Sequence, residues 1–84
     1  KQPLEAFPLD DLKFVGILEQ GPQLWGLILD PEKKVVAVKV GSYMGQNYGR
    51  VLSINSNEIK LEETTKTSGT WEKQITTLRI VTGK

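Results

Sequence analysis

By residue type, the groups best suited to acid–base or metal chemistry are two adjacent carboxylate pairs, Asp10 with Asp11 and Glu62 with Glu63. The chain of 84 residues contains no histidine and no cysteine. It therefore lacks the usual general base near neutral pH, the commonest metal ligand and every thiolate. Asp10 and Asp11 have no third acidic neighbour, and their place just after Pro8 reads as a turn or helix cap. Glu62 and Glu63 fall in an alternating segment, where successive side chains point to opposite faces, so the two cannot act on one substrate atom. No catalytic or metal residue and no cofactor is expected.

The stretch "VGSYMGQNYGRV", residues 40–51, has a more regular spacing: Gly41, Gly45 and Gly49 recur every four residues, with Tyr43 and Tyr48 between them. A phosphate cradle would need this loop to enter a helix N-terminus, yet Arg50 to Asn55 reads as a strand, and the Gly-Lys-Ser/Thr ending is missing. A small-residue helix-packing motif needs a long apolar run, which Ser42, Gln46, Asn47 and Arg50 interrupt. What remains is a corner in which three glycines take positive φ and carry the chain from one sheet to another. On it, Tyr43 and Tyr48 either cover the end of the core or, with Gln46 and Asn47, form part of a protein-binding surface.

The elements that must position these residues follow from short runs of Val, Ile, Thr and aromatic residues, punctuated about every ten residues by Gly, Pro, Asn, Asp and Ser. The pattern predicts at most one helical turn, at 8–11, then strands near 12–20, 23–30, 34–40, 50–55, 58–64 and 71–81. Leu12, Phe14 and Leu18 are expected on one face of the first strand, with Gly16 between them. The second is apolar on both faces, as if covered on both sides. Ser56 and Asn57 have hairpin spacing, and "TKTSGT" at 65–70 reads as a mobile polar loop. Trp25 is assigned to the core, while Trp71 is divided between a core lid and an exposed anchor. Six or seven short antiparallel strands must curl into a small all-β sandwich or barrel to hide their apolar faces. The division is an N-terminal extension at 1–11, a β-sandwich domain at 12–81 and a tail at 82–84.

The formal net charge is +1, with charges scattered rather than blocked. A phosphate-binding surface usually carries a larger basic excess. Lys33, Lys34, Lys39 and Arg50 with Tyr43 and Tyr48 form the one candidate face for single-stranded nucleic acid; Glu58, Glu62 and Glu63 on the adjoining hairpin oppose it, so no nucleic-acid partner is expected. No apolar run approaches the roughly 20 residues that span a bilayer, and none reads as a signal peptide. The start at Lys1 is read as that of a fragment. A sandwich leaves sheet edges that can recruit a partner's strand. The edge chosen is the first strand, with Leu12, Lys13, Phe14, Val15 and Ile17 as partner-binding residues; lysine at Val15 and Ile17 is expected to abolish binding and spare the fold.

Ordered segments across most of the chain, "PLEAFPLDDLKFVGIL", "LWGLILDP", "VKVGSYMGQNYGRVLSINSNEIKLEE" and "WEKQITTLRI", resemble the C-terminal periplasmic domain of PilP, the type IV pilus assembly lipoprotein family. The most specific part spans Val40 to Val51, supported by Leu12-Lys13 and Val15-Gly16. The homology region of the type II secretion clamp protein GspC is similar in outline. The PilP resemblance implies a β-sandwich in the periplasm that joins the inner-membrane proteins PilN and PilO to the N-terminal periplasmic domain of the secretin PilQ, with no catalysis. It further implies that a lipid and a flexible segment upstream make the inner-membrane attachments, with no direct membrane insertion of this domain.

Overall fold

The runs of β-branched and aromatic residues do form strands, seven in all among the described residues, and glycine, proline and Asx turns end them. A computed structural model describes residues 2–81. Two 3₁₀ turns, Pro3–Ala6 and Leu9–Asp11, precede β1 (Lys13–Gln20), β2 (Gln23–Leu29), β3 (Val35–Val38), β4 (Tyr43–Met44), β5 (Gly49–Ile54), β6 (Glu58–Thr67) and β7 (Thr70–Arg79). They build two antiparallel sheets, one ordered β1-β2-β3 and the other β4-β5-β6-β7. The expected turn at 8–11 is present, and a second 3₁₀ turn stands before it. The tail at 82–84 lies outside the described residues.

The core lies between the sheets. Phe14, Ile28 and Val38 from the first sheet meet Met44, Val51, Ile59 and Leu61 from the second, closed by Leu4 and Leu12. Full burial of such side chains contributes about 1.5–3 kcal/mol each, the main favourable term in a chain without disulfides. Gly26 permits the closest approach, since a Cβ there would stand 2.8 Å from Cδ1 of Ile59.

Strand β1 departs from simple alternation. Its register slips at Val15, so that Phe14 pairs with Ile28 and Gly16 with Leu27. The bulge adds one residue and reverses the phase. Ile17, opposite Gly26, packs against the core, while Leu18, opposite Trp25, faces out. The expectation that Leu18 shares a face with Leu12 and Phe14 is thereby corrected. Strand β2 is likewise covered on one side only: Gly26 and Ile28 point inward, and Trp25, Leu27 and Leu29 are half-buried on the outer face.

The segment 65–70 is paired strand rather than loop. Strands β6 and β7 stay in register from Glu58↔Arg79 to Thr67↔Thr70, reversing at Ser68 and Gly69, both with positive φ. Its three threonines made the segment polar without making it irregular, because threonine fits a pleated strand.

The end of the chain joins the two sheets. Phe14 forms a parallel bridge with Ile80, and the Val81 amide donates to the Phe14 carbonyl at 2.8 Å. The start of β1 is therefore closed, and its free edge begins beyond Phe14.

Candidate functional site: two sheet faces and a stitched corner

The glycine corner does carry the chain from one sheet to the other, but its three glycines do not act alike. Gly41 and Gly45 have φ of +95° and +79°. Gly49 is extended and buried in β5, where its hydrogen atoms leave room for the Met44 carbonyl. The third left-handed position belongs instead to Tyr48, with φ of +57°. Tyr43 and Met44 pair with Arg50 and Gly49, making a hairpin inside the corner.

The N-terminal segment is stitched to this hairpin. The Tyr43 amide donates to Oε1 of Gln2 at 2.9 Å, the Gly45 amide to the Leu4 carbonyl at 3.0 Å, and Nε2 of Gln46 to the Ala6 carbonyl at 3.2 Å. Two open hollows flank Gln46 along this seam. One, of about 300 Å³, is lined by Glu5, Ala6, Gly45, Gln46 and Tyr48. The other, of about 230 Å³, lies between Leu9 and Asp10 on one side and Asn47, Glu63 and Thr76 on the other.

The carboxylate pairs are placed as their spacing requires. Asp10 and Asp11 sit on the second 3₁₀ turn. Glu62 faces out opposite Ile75, whereas Glu63 is buried and accepts the Thr76 hydroxyl at 2.6 Å. Among the described residues no three His, Cys, Asp or Glu side chains converge to hold a metal.

The candidate binding residues divide among three places. Leu12 and Phe14 are core side chains, 2% and 0% exposed, and the Leu12 amide and Phe14 carbonyl are already bonded to Leu9 and Val81, so neither residue faces a partner. Lys13 and Val15 are exposed, and Ile17 turns inward. Gln46, Asn47 and Tyr48 are exposed at the corner with Tyr43 half-buried beside them, on the other sheet from β1. The basic residues also separate. Lys33 and Lys34 lie at the β2–β3 turn, the Lys39 ammonium sits 5.5 Å over the Trp25 ring, and Arg50 stands on the second sheet.

Two surfaces emerge that residue spacing alone had not isolated. The first is the outer face of β1-β2-β3. Leu18 lies beside Trp25, Leu27 beside Ala37, and Leu29 beside Val35, with Lys39 capping the tryptophan. Val15, Leu18 and Val35 are 38%, 43% and 58% exposed, and Nε1 of Trp25 is buried without a hydrogen-bond partner among the described residues. The second is the outer face of β4-β5-β6-β7. Here Tyr48 meets Trp71 edge to face at 6.3 Å, and the Lys66 ammonium lies 5.7 Å from the centre of the Trp71 ring. Trp71 is thus exposed rather than a lid on the core.

Two antiparallel sheets packed face to face, with short 3₁₀ turns at the start, define a small all-β sandwich domain. The family model of the pilus assembly protein PilP matches residues 1–80, and the chain belongs to that family. Its role is in type IV pilus biogenesis. A solved domain of the type IV pilus biogenesis lipoprotein PilP from Pseudomonas aeruginosa is similar at 30% identity and a TM-score of 0.85, over 95% of this chain and 92% of that one. The solution structure of a domain of the Neisseria meningitidis PilP pilot protein is similar at 40% identity and a TM-score of 0.79, over 95% of this chain and 71% of that one. The solution structure of PilP from Pseudomonas aeruginosa gives 28% identity and a TM-score of 0.86, over 100% and 76%. No curated protein sequence matches the chain. None of the described helices is long and apolar enough to cross a membrane.

Proposed function

We propose that the domain is a non-catalytic periplasmic linker of pilus biogenesis that docks the N-terminal periplasmic domain of the secretin PilQ, while a lipid-bearing segment upstream joins PilN and PilO at the inner membrane. The observation that carries this reading is the apolar outer face of β1-β2-β3, continuous with the free β1 edge beyond Phe14. Exposed apolar side chains gathered on one sheet face mark contact sites, and an adjoining edge offers backbone donors and acceptors to a partner strand. Moderate affinity suffices if several tethered copies engage one multimeric secretin.

The test is a calorimetric titration of the secretin's N-terminal domain against the wild-type domain and a Leu18→Lys/Val35→Lys variant. The expected result is saturable binding to wild type and at least a tenfold loss in the variant, with unchanged melting. Absence of wild-type binding, or equal affinity in the two proteins, would overturn the reading.

A further inference from the structure

The outer face of the second sheet differs in chemistry from the first. Register places Arg50, Glu62 and Ile75 in one row, with Thr64 and Lys73 in the next and Lys66 beside Trp71 in the third. Tyr48, brought over from the corner, leans on Trp71. Tyr48, Trp71 and Ile75 are 62%, 58% and 56% exposed, a concentration of large side chains that solvent alone does not favour. Farther along the sheet Lys60 and Arg79 both pair with Glu58, at 3.3 and 3.0 Å. On the strand rows beside the aromatic pair, Arg50, Lys66 and Lys73 share the face with one carboxylate, Glu62, while Glu5 lines the hollow beside Tyr48; none of the three cations has an ion-pair partner among the described residues. Three of the cations that make no ion pair among the described residues thus stand on the same sheet face as its most exposed aromatic residues.

The geometry points to a second protein-docking surface here, centred on Trp71 and Tyr48, whose partner presents carboxylates around an apolar hollow. Tyrosine, tryptophan and arginine on a rigid sheet are the residue types that dominate interface energetics, and a cationic surround steers an acidic partner. The same ingredients could bind single-stranded nucleic acid, which stacks bases on open aromatic faces. Two observations favour protein. The Lys66 ammonium already occupies one face of Trp71 and the Tyr48 contact restricts its surroundings. This face belongs to the other sheet from the apolar one, so a protein held here leaves that face free.

The test uses the full-length protein in its own host, with the photo-crosslinking residue benzoylphenylalanine at Ile75 and, as a control, at Ser56 in the β5–β6 turn. Adducts are identified by mass spectrometry. One defined protein with an acidic surface is expected at Ile75 and not at Ser56. Its yield should fall at least tenfold with Lys66→Glu/Lys73→Glu and with Trp71→Ser, each shown to fold by circular dichroism. No adduct at Ile75, equal labelling from Ser56, or indifference to charge reversal would overturn the proposal. So would tight binding of the purified domain to oligo-dT or to anionic vesicles that quenches Trp71. Because the secretin titration reads Leu18 and Val35 on the opposite sheet, either proposal can fail while the other stands.

Discussion

The Met44 carbonyl oxygen lies 2.6 Å from the point a Cβ on Gly49 would occupy, although Gly49 has an ordinary extended backbone. This glycine is therefore required by its neighbour rather than by its own torsion angles. Gly49→Ala must push the β4–β5 hairpin apart and should cost about 1–3 kcal/mol. Gly41→Ala meets nothing within 4 Å and bears only its positive φ, about 1 kcal/mol. Urea denaturation of the two variants should give that order; the reverse order would show that the corner depends on torsion alone.

Leu4 should behave as a core residue despite preceding the first strand. It is buried, and its carbonyl accepts the Gly45 amide. Leu4→Ala is expected to lower stability by about 2–4 kcal/mol. Hydrogen exchange at the Tyr43 and Gly45 amides should quicken by more than at Val51, because those two bond to the N-terminal segment.

Lysine at Val15 and at Ile17 should have opposite effects on the fold. The bulge leaves Val15 at the surface and turns Ile17 into the interior. Val15→Lys should melt within a degree or two of wild type. For Ile17→Lys, burial of the ammonium should cost several kcal/mol, enough to unfold much of the population. Partner binding is informative only for the first, and thermal melts of both check the assignment.

The β2–β3 turn offers a stabilising change. Oδ1 of the buried Asp30 accepts the amides of Glu32 and Lys34 at 2.8 and 2.9 Å, and the turn holds Lys33 at φ of +70°. Lys33→Gly removes that strain and should raise stability by up to about 1 kcal/mol, less the entropy glycine adds to the unfolded chain. Asp30→Ala leaves two amides without their acceptor and should cost about 1–2 kcal/mol.

Strand positions were largely legible because alternation and turn residues are local signals. Ile59 and Leu61 in β6 face inward as their period of two requires, and the turn at Ser56 and Asn57 forms, with Oδ1 of Asn55 accepting the Asn57 and Glu58 amides. The errors arose where one local signal carried two meanings. Threonine-rich polarity masked a paired hairpin, and a single inserted residue at Val15 reversed the faces of the rest of the first strand. The docking faces were less legible. Tyr48 and Trp71 belong to distant segments, and only the corner's left-handed step at Tyr48 lays one against the other. Trp25 read as core from its apolar run, yet β2 turns it outward, a distinction that depends on which partner strand fixes the register.

The bridge between Phe14 and Ile80 bears on how the domain carries load. The first and last strands run parallel there, with the start of one beside the end of the other, so traction on the two flanking chain segments slides them past each other lengthwise. The Val81 to Phe14 hydrogen bond lies across that direction and is sheared rather than peeled, the loading geometry that resists extension best. Pulled from its ends, the sandwich should first shed the seam that holds Gln2, Leu4 and Ala6, then yield at this clasp, and only then surrender the pairing within either layer.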